Sequence, residues 1–521
     1  MAVDVGAEDE VSSGVTTVVL TAWPLLASIL LLMTGSGLQG SLLGVRAEQA
    51  AFSSAVTGAV LGLYYLGYVA GSTWAPGLIR RVGHIRVFAA LAAIASAAVL
   101  IHGVWVSPVP WLLLRGLTGA CVAGLFVVTE SWLNDVAAST TRATLLSVYN
   151  TVVTGGLAAG TLLLNVASPT GVVLFVIGSV AVSLAAVPIT LAPSEAPAPQ
   201  ESEPVPWDTV FRIAPLGITG VVVSGMGVGA VAGFGAVYAT RAGFGVSGAS
   251  QFVVAVLVGA IVGQIPLGNW SDRTDRRYVM LTAGALIVAG SVIGVAGTVL
   301  ESLPLALLAA LVVGAGAFSL YGLSMAHQAD YMDPIHVLSA GSRLLTANGL
   351  GAASGPFLAS IAIGLMGPEG MFRVLIVVGS VFCVFVVFRM FRRGAVAESR
   401  RAHYTPIAAT STVAGLDDLV SETTGVDSDV LRRRLRRARM IARRASDAAG
   451  RATKAAGRAS KAAGRTVSKA AAARPRPAQK RNRRRASTDE VRRPRGRRDA
   501  TRPRHRVDDT AESPDEQGEE D

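Results

Sequence analysis

The sequence contains few cysteines and few charges, and over most of its length it contains no lysine. Its 521 residues include two cysteines, Cys121 and Cys383, in separate apolar runs, which excludes a disulfide framework or a cysteine-rich zinc site. Charged residues make up 16% of the chain, whereas soluble globular proteins have about 25%. The first lysine is Lys454. With 51% hydrophobic residues, the chain is neither a wholly soluble protein nor a wholly disordered one.

The net charge of +12 is unevenly distributed along the chain. Residues 431–506 hold 29 lysines and arginines against four acids, a local charge of +25. Residues 507–521 hold eight acids and no base, which leaves −5 for residues 1–430. A mildly acidic, apolar body is therefore followed by a strongly basic tail with an acidic tip.

The body contains twelve apolar runs that are long enough to cross a membrane, which takes about 20 residues. They cover residues 17–43, 52–75, 87–106, 111–129, 143–165, 171–191, 210–240, 251–270, 279–299, 304–325, 341–365 and 371–390. We predict helices, because a backbone in lipid must satisfy its own hydrogen bonds. The alternating segments of a transmembrane barrel are absent from the sequence.

The charges between these runs predict the orientation of the chain. Residues 1–16 carry four acids and no arginine or lysine, the reverse of a signal peptide, so we expect them to form a cytoplasmic N-terminus. With both termini in the cytoplasm, twelve arginines fall on the inner side and three, Arg46, Arg241 and Arg373, on the outer side. Because arginine is enriched in cytoplasmic loops, this arrangement predicts a multi-pass protein of the cytoplasmic (inner) membrane.

An internal repeat divides the body into two parts. Ser147, Gly156 and Gly160 match Ser342, Gly351 and Gly355 at an offset of 195, and Asp135 matches Asp330 at the same offset. A segment rich in proline and acids, 192–209, separates the two parts and is predicted to be a cytoplasmic linker. The predicted fold is an all-α membrane protein with two six-helix pseudo-symmetric halves, 17–191 and 210–391. A cytoplasmic basic tail, 392–521, is expected to be largely disordered.

One inner loop carries a recognisable signature. The residues Gly268, Asp272, Arg273, Arg276 and Arg277 resemble the Gly-x-x-x-Asp-Arg-x-Gly-Arg-Arg loop of the major facilitator superfamily. Asp275 stands where that family has its second glycine. The corresponding loop of the first half keeps Gly83 but has Arg80 in place of the aspartate.

A second signature lies in the fourth run. The string Arg115-Gly-Leu-Thr-Gly119 is similar to the Arg-x-x-Gln-Gly motif of the same superfamily, and Glu130-Ser-Trp-Leu-Asn follows it. This string, with the Gly-His-Ile-Arg of the first loop, resembles the YcaD-like bacterial permeases. The resemblance implies a secondary active transporter that works by alternating access.

Arg115 is the first candidate for substrate binding or coupling. A charge inside a membrane costs roughly 3 kcal/mol or more and is usually functional, so Arg115 is expected to bind an anionic group or to influence a proton acceptor. The alternative is a packing role in which the side chain reaches the interface. The other substrate candidates are Gln39, Tyr64, Tyr65, Asn150, Tyr238, Tyr321 and Asn348. Such aromatic and amide groups suit a neutral or weakly polar organic solute, although each could instead join helices.

A second set of candidates is expected to act in gating. It comprises Arg81, Glu130, Asp272, Arg273, Arg276, Asp330 and Arg343. We expect Glu130 to pair with Arg81, and Asp330 with Arg273 or Arg343, in contacts that form and break between conformations. Static interfacial salt bridges are the alternative.

The sequence shows no phosphate-binding loop, catalytic constellation or metal-ligand set, so no enzyme activity, cofactor or metal is predicted. The predicted function is secondary active transport of a small organic solute by a monomer in the lipid bilayer. The alternative is a carrier-like receptor or scaffold whose tail contacts anionic lipid or nucleic acid. The tail composition favours anionic lipid, because polybasic segments gain about 1 kcal/mol per charge near such surfaces.

Overall fold

The computed structural model describes residues 5–136, 142–191, 206–332 and 334–392. For residues 5–21, 134–136, 142–144 and 334–339 it describes the backbone only. The predicted tail beyond residue 392 and residues 192–205 of the predicted linker lie outside the described residues. Every regular element in the described ranges is helical.

The described residues of the first half form seven helices. They are α1 (Val5–Gln49), α2 (Ser54–Val82), α3 (His84–Val104), α4 (Pro108–Val136), α5 (Arg142–Leu162), α6 (Val173–Leu184) and α7 (Ala186–Thr190). A short 3-10 turn, Leu163–Asn165, continues α5. Helices α6 and α7 together form one membrane span, Val173–Thr190.

In the second half, the part that the structure describes forms eight helices. They are α8 (Trp207–Ile213), α9 (Pro215–Val228), α10 (Gly235–Arg241), α11 (Gly245–Arg273), α12 (Arg276–Val299), α13 (Leu303–Tyr331), α14 (Pro334–Met366) and α15 (Gly370–Arg392). A π-helical turn, Gly229–Gly233, follows α9. In the described part of the chain, twelve helical stretches are long and apolar enough to cross a membrane, which confirms the predicted fold class.

The seventh predicted span differs most from the structure. The sequence predicted one run over residues 210–240, but α8 ends at Ile213 and a new helix begins at Pro215. Proline has no backbone N–H and its φ angle suits the first turn of a helix, so it favours a new start at this position. The first span also differs, since α1 begins at Val5, ahead of the predicted start at 17.

The sequence repeat corresponds to a repeated helix contact. In the first half α5 packs against α1, and a methyl group on Gly160 would collide with the carbonyl oxygen of Thr34. In the second half α14 packs against α9, and methyl groups on Gly351 and Gly355 would collide with the carbonyl oxygens of Val222 and Met226. The matched glycines thus allow the same close backbone approach in both halves, as small residues do between membrane helices.

Glycines also hold α2 close to α4. A methyl group on Gly67 would collide with the carbonyl oxygen of Gly116, and one on Gly119 would collide with that of Tyr64. Gly119 is the last residue of the Arg115-Gly-Leu-Thr-Gly119 string. The glycine spacing of this string therefore positions Arg115 beside the tyrosines of α2.

The two halves meet along α2 and α14, and also where α5 packs against α11. A methyl group on Gly62 would lie 2.7 Å from the carbonyl oxygen of Ala353, so the first pair of helices is nearly in backbone contact. We call the end of the bundle where α1 meets α2 the α1–α2 end, and the opposite end, where α2 meets α3, the α2–α3 end.

Candidate functional site

Arg115 lies inside the bundle, seven residues after the start of α4, or about 10 Å along the helix. Its side chain is nearly inaccessible, since the residue is 6% exposed. Its Nη1 donates a hydrogen bond to Oε1 of Gln39 on α1 at 3.1 Å. The guanidinium carbon lies 4.3 Å from the ring centroid of Tyr64 on α2, a distance typical of a cation–π contact. Helices α1, α2 and α4 thus all contribute to its surroundings.

No acid among the described residues neutralises the charge of Arg115. Among the described residues its guanidinium forms no ion pair, and its Nε has no hydrogen-bond partner. The Nε2 of Gln39 is likewise buried without a partner. The buried guanidinium and the amide beside it therefore each have one N–H donor without an acceptor among the described residues. Such a charged and incompletely hydrogen-bonded group costs stability unless a ligand supplies the acceptors.

Two tyrosines of α2 complete this group. Tyr64 and Tyr65 meet edge to face, with ring centroids 5.3 Å apart. The hydroxyl of Tyr65 reaches the second half, because a methyl group on Gly233 would lie 3.1 Å from it. Both tyrosines are only partly buried. We call Arg115, Gln39, Tyr64 and Tyr65 the Arg115 cluster.

A second polar group surrounds Glu130 on the same helix. Glu130 is 2% exposed, and the hydroxyl of Tyr149 on α5 donates a hydrogen bond to it at 3.4 Å. Tyr68 lies within electrostatic range of Glu130 and of Tyr321, which α13 contributes from the second half. We call Glu130, Tyr68, Tyr149 and Tyr321 the Glu130 cluster. Tyr149 was not among the residues predicted from the sequence, although its position beside the candidate Asn150 could have indicated it.

The two clusters are connected along α2. The rings of Tyr64 and Tyr68 are 6.2 Å apart, one turn of helix from each other. On α4 the two charged residues, Arg115 and Glu130, are separated by about 22 Å along the axis. Together the clusters form a polar path through the apolar bundle, with side chains from both halves.

Two predicted substrate residues do not belong to this path. Tyr238 is fully buried in the second half, where its ring packs against Phe252 and Phe372 and its hydroxyl is 2.8 Å from Oγ1 of Thr298. In this structure its side chain thus packs in the core of the second half, and its predicted role in substrate binding stays a prediction. Asn348 donates a hydrogen bond from Nδ2 to the carbonyl oxygen of Val221 at 2.9 Å, which joins α14 to α9. Asn150 is partly buried on α5, next to Tyr149.

The loop signature between α11 and α12 is built around Arg276. Its Nε lies 2.9 Å from Oδ2 of Asp330, and the two side chains are 1% and 3% exposed. Its Nη1 donates to Oγ of Ser271 at 2.8 Å and lies 3.4 Å from Oδ1 of Asp272. Arg276 thus joins the end of α11, the start of α12 and the end of α13.

Asp275 replaces the usual glycine of the signature without strain. Its φ of −68° is an ordinary angle, and its side chain accepts a hydrogen bond from the backbone N–H of Arg277 as the N-cap of α12. Burial raises the pKa of Asp275, but hydrogen bonds from Arg277 and its positive charge outweigh this, so the pKa lies below its usual value. The carboxylate therefore remains charged at neutral pH and stabilises the helix start.

The structure shows further contacts of the predicted gating residues. Asp330 pairs with Arg276, whereas Arg273, its predicted partner, is exposed at the end of α11. Arg81 is exposed while Glu130 is buried, and no ion pair joins these two described residues. The guanidinium of Arg343, the other predicted partner of Asp330, lies 5.2 Å from the ring of Trp207.

Each predicted pair also lies within a single half. Rigid rocking of one half against the other would not separate residues of the same half. A gating role for these residues therefore stays a prediction, and it requires movement inside a half.

An ion pair that was not predicted from the sequence joins the two halves. At the α1–α2 end, Nε of Arg241 lies 2.7 Å from Oε2 of Glu48, and Nη1 of Arg241 donates to Oγ of Ser54 at 2.6 Å. Both charged side chains are largely buried, at 24% and 14% exposed. Nearby, Nδ2 of Asn165 donates to Oγ of Ser250 at 2.8 Å, also across the halves. We call Glu48–Arg241 the cross-half ion pair.

Comparison with family models matches the chain to the Major Facilitator Superfamily over residues 25–263 and 246–442. Two similar relatives are proteins described as the uncharacterized MFS-type transporter YcaD. The one from Salmonella arizonae is 26% identical over 335 residues, which is 64% of this chain and 86% of the relative. The one from Salmonella typhimurium is 26% identical over 340 residues, which is 65% of this chain and 87% of the relative.

Solved structures with the same fold are also transporters. A mutant of the nucleoside transporter NupG superposes with a TM-score of 0.62 at 13% identity, covering 71% of this chain and all of that one. A bacterial homologue of the human lysosomal transporter Spinster, in an inward-facing and unoccupied conformation, superposes with a TM-score of 0.54 at 16% identity. It covers 71% of this chain and 98% of that one. At these identities the likeness shows the fold alone.

Proposed function

Because the chain belongs to the major facilitator superfamily, a family of membrane transporters, we propose that it is a secondary active transporter for a small organic solute. Its two halves would rock against each other and expose a central site to each side of the membrane in turn. A proton or solute gradient would drive the movement.

The observation that carries this proposal is the polar path between the halves. Arg115 and Glu130 are both buried. The hydroxyl of Tyr65 reaches Gly233 of the second half, and Tyr321 of the second half lies near Tyr68 of the Glu130 cluster. A receptor or scaffold needs no buried charges at this place, where each one costs stability. A carrier needs them to bind a solute out of water, so the path favours transport over the scaffold alternative.

The cross-half ion pair fits alternating access. It joins the two halves at the α1–α2 end, and it would have to break if that end opened. A contact present in one state and absent from the other gives the two states different free energies, which a conformational switch requires. We therefore propose Glu48 and Arg241 as gating residues.

We further propose that the α2–α3 end faces the cytoplasm. Among the described residues, eleven arginines lie at or near the α2–α3 end, and three, Arg46, Arg241 and Arg373, lie at the α1–α2 end. This asymmetry supports a cytoplasmic position for both termini. The basic tail would then face anionic lipid headgroups, and we propose contact with these lipids while the body acts as a monomer.

Solute counterflow tests the proposed activity. Uridine, glucose, leucine and benzoate are first tested for thermal stabilisation of the purified full-length protein, since a true ligand stabilises by mass action. Solutes that stabilise the protein are then loaded into proteoliposomes, and uptake of the labelled solute is followed. We expect exchange well above that of protein-free vesicles. Binding without any exchange would contradict transport and would favour the receptor alternative.

A further inference from the structure

The unneutralised charge of Arg115 indicates the class of solute. Arg115, Arg276 and Arg277 are the three buried arginines among the described residues. Arg276 is paired with Asp330, and Arg277 with Asp275. In the described part of the chain, two of the three buried guanidinium groups thus have a carboxylate from the protein itself. From the third, which lies on the polar path, we infer that a carboxylate of the transported solute provides the missing negative charge. This inference rests on the proposed function.

The orientation of Gln39 fixes what the site can accept. Arginine only donates hydrogen bonds, so the oxygen of the Gln39 amide must face Arg115 and its NH₂ group must point elsewhere. Within the Arg115 cluster, that Nε2 and the Nε of Arg115 are the two buried donors that have no partner among the described residues. A carboxylate has two oxygens that can each accept a hydrogen bond, so one such group can serve both donors.

The surroundings of the guanidinium suit an aromatic or apolar body beside that carboxylate. Tyr64 and Tyr65 present two rings nearly at right angles, and both residues are only partly buried. On α1, Gly40 places no side chain against the guanidinium, and a methyl group there would lie 3.8 Å from Nη2. Aromatic rings pair favourably edge to face, so these tyrosines would favour a ring on the solute.

Other ligand classes fit this site less well. A cation would be repelled by the guanidinium. A neutral solute would leave the charge buried and unneutralised, with its full desolvation penalty. We therefore assign the Arg115 cluster to a small aromatic monocarboxylate, with Arg115 and Gln39 on the carboxylate and the two tyrosines on the ring.

Benzoate and benzamide test this assignment, because they share a ring and a size but differ in charge. Binding to the purified full-length protein is measured by concentration-dependent thermal stabilisation at pH 7. We expect benzoate to bind at least tenfold more tightly than benzamide. We expect Arg115→Gln to lose at least tenfold in benzoate affinity, while the exposed-site control Arg373→Gln keeps it. Equal binding of the two solutes, or no benzoate binding in the millimolar range, would overturn the assignment.

A second variant separates ligand binding from a merely structural role. In Gln39→Glu, a carboxylate from the protein itself would face Arg115. We expect this variant to be more heat-stable without ligand than the wild type and to bind benzoate at least tenfold more weakly. If Gln39→Glu kept the wild-type affinity, the Arg115 cluster would not be the carboxylate site. This measurement also covers the case in which Arg115→Gln does not fold.

The same experiments keep this inference separate from the proposed transport. Benzoate binding that depends on Arg115 but gives no counterflow would refute transport and keep the site. Counterflow of uridine, glucose or leucine without charge-dependent benzoate binding would keep transport and refute the site.

Discussion

Replacing Arg276 with glutamine is expected to destabilise the protein strongly. The substitution removes the guanidinium from a pair whose side chains are 1% and 3% exposed and leaves the carboxylate of Asp330 buried without it. Breaking one partner of a buried pair typically costs about 3–5 kcal/mol. We expect the melting temperature of the purified protein to fall by several degrees. It is measured by differential scanning fluorimetry, with either a thiol-reactive dye or the intrinsic tryptophan fluorescence as the signal.

Two matched variants make this result interpretable. Arg212→Gln disrupts an exposed pair with Asp208, whose side chains are 76% and 64% exposed, and should change stability by no more than about 1 kcal/mol. The double variant Arg276→Met/Asp330→Leu replaces the buried pair with apolar groups and should recover most of the loss. If Arg276→Gln were as stable as Arg212→Gln, the Arg276–Asp330 pair would not hold α12 to α13.

Replacing Gly119 with alanine is expected to separate α2 from α4. The added methyl group would collide with the carbonyl oxygen of Tyr64, and neither backbone can move without disturbing the packed helices. Overpacking in a core costs about 1–3 kcal/mol, and a backbone collision lies at the upper end of this range. Because Tyr64 would also move away from Arg115, we expect lower thermal stability together with weaker binding of benzoate.

Gly155→Ala is the control for this substitution. A methyl group on Gly155, in α5, would meet no atom within 4 Å. Alanine is the better helix former, so this variant should equal or exceed the wild type in stability. Equal stability of Gly119→Ala and Gly155→Ala would contradict the close approach of α2 and α4.

The fold was largely predictable, because a membrane span needs a long apolar run that is visible in the sequence. The predicted run at 279–299 lies within α12 (Arg276–Val299), and the one at 371–390 lies within α15 (Gly370–Arg392). The break before Pro215 was missed because the apolar character of the chain continues across it. Hydropathy measures composition, whereas a helix start depends on backbone geometry.

The site was predictable only in part, because residue type does not determine which way a helix faces. Arg115 was identified from its charge alone, and the structure places Gln39 and Tyr64 beside it. Tyr238 has the same chemistry as Tyr64, but it lies in the aromatic core of the second half. The partner of Asp330 is Arg276 rather than Arg273, because the turn between α11 and α12 places the first residue of α12 against α13.

The cross-half ion pair could not be read from the sequence. Glu48 and Arg241 are 193 positions apart and sit at the ends of helices in different halves. Neither belongs to a motif, and their proximity arises only when the halves pack at the α1–α2 end. Contacts between halves depend on the conformation of the whole bundle, so a single sequence gives no signal for them.

Distances across both ends of the bundle test alternating access most directly. Spin labels would be placed across the halves at Val166 and Ser247 for the α1–α2 end, and at Val82 and Tyr278 for the α2–α3 end, all of which are exposed. The background would carry Cys121→Ala and Cys383→Ala, and distances would be measured by double electron–electron resonance in lipid.

The decisive comparison is between the wild type and Glu48→Gln, which weakens the cross-half ion pair. A charged hydrogen bond contributes about 1.5–3 kcal/mol, enough to change the ratio of two states by roughly tenfold or more. We predict that in Glu48→Gln the Val166–Ser247 distances lengthen while the Val82–Tyr278 distances shorten. Distances that stay unchanged at both ends, or that lengthen at both ends together, would contradict alternating access.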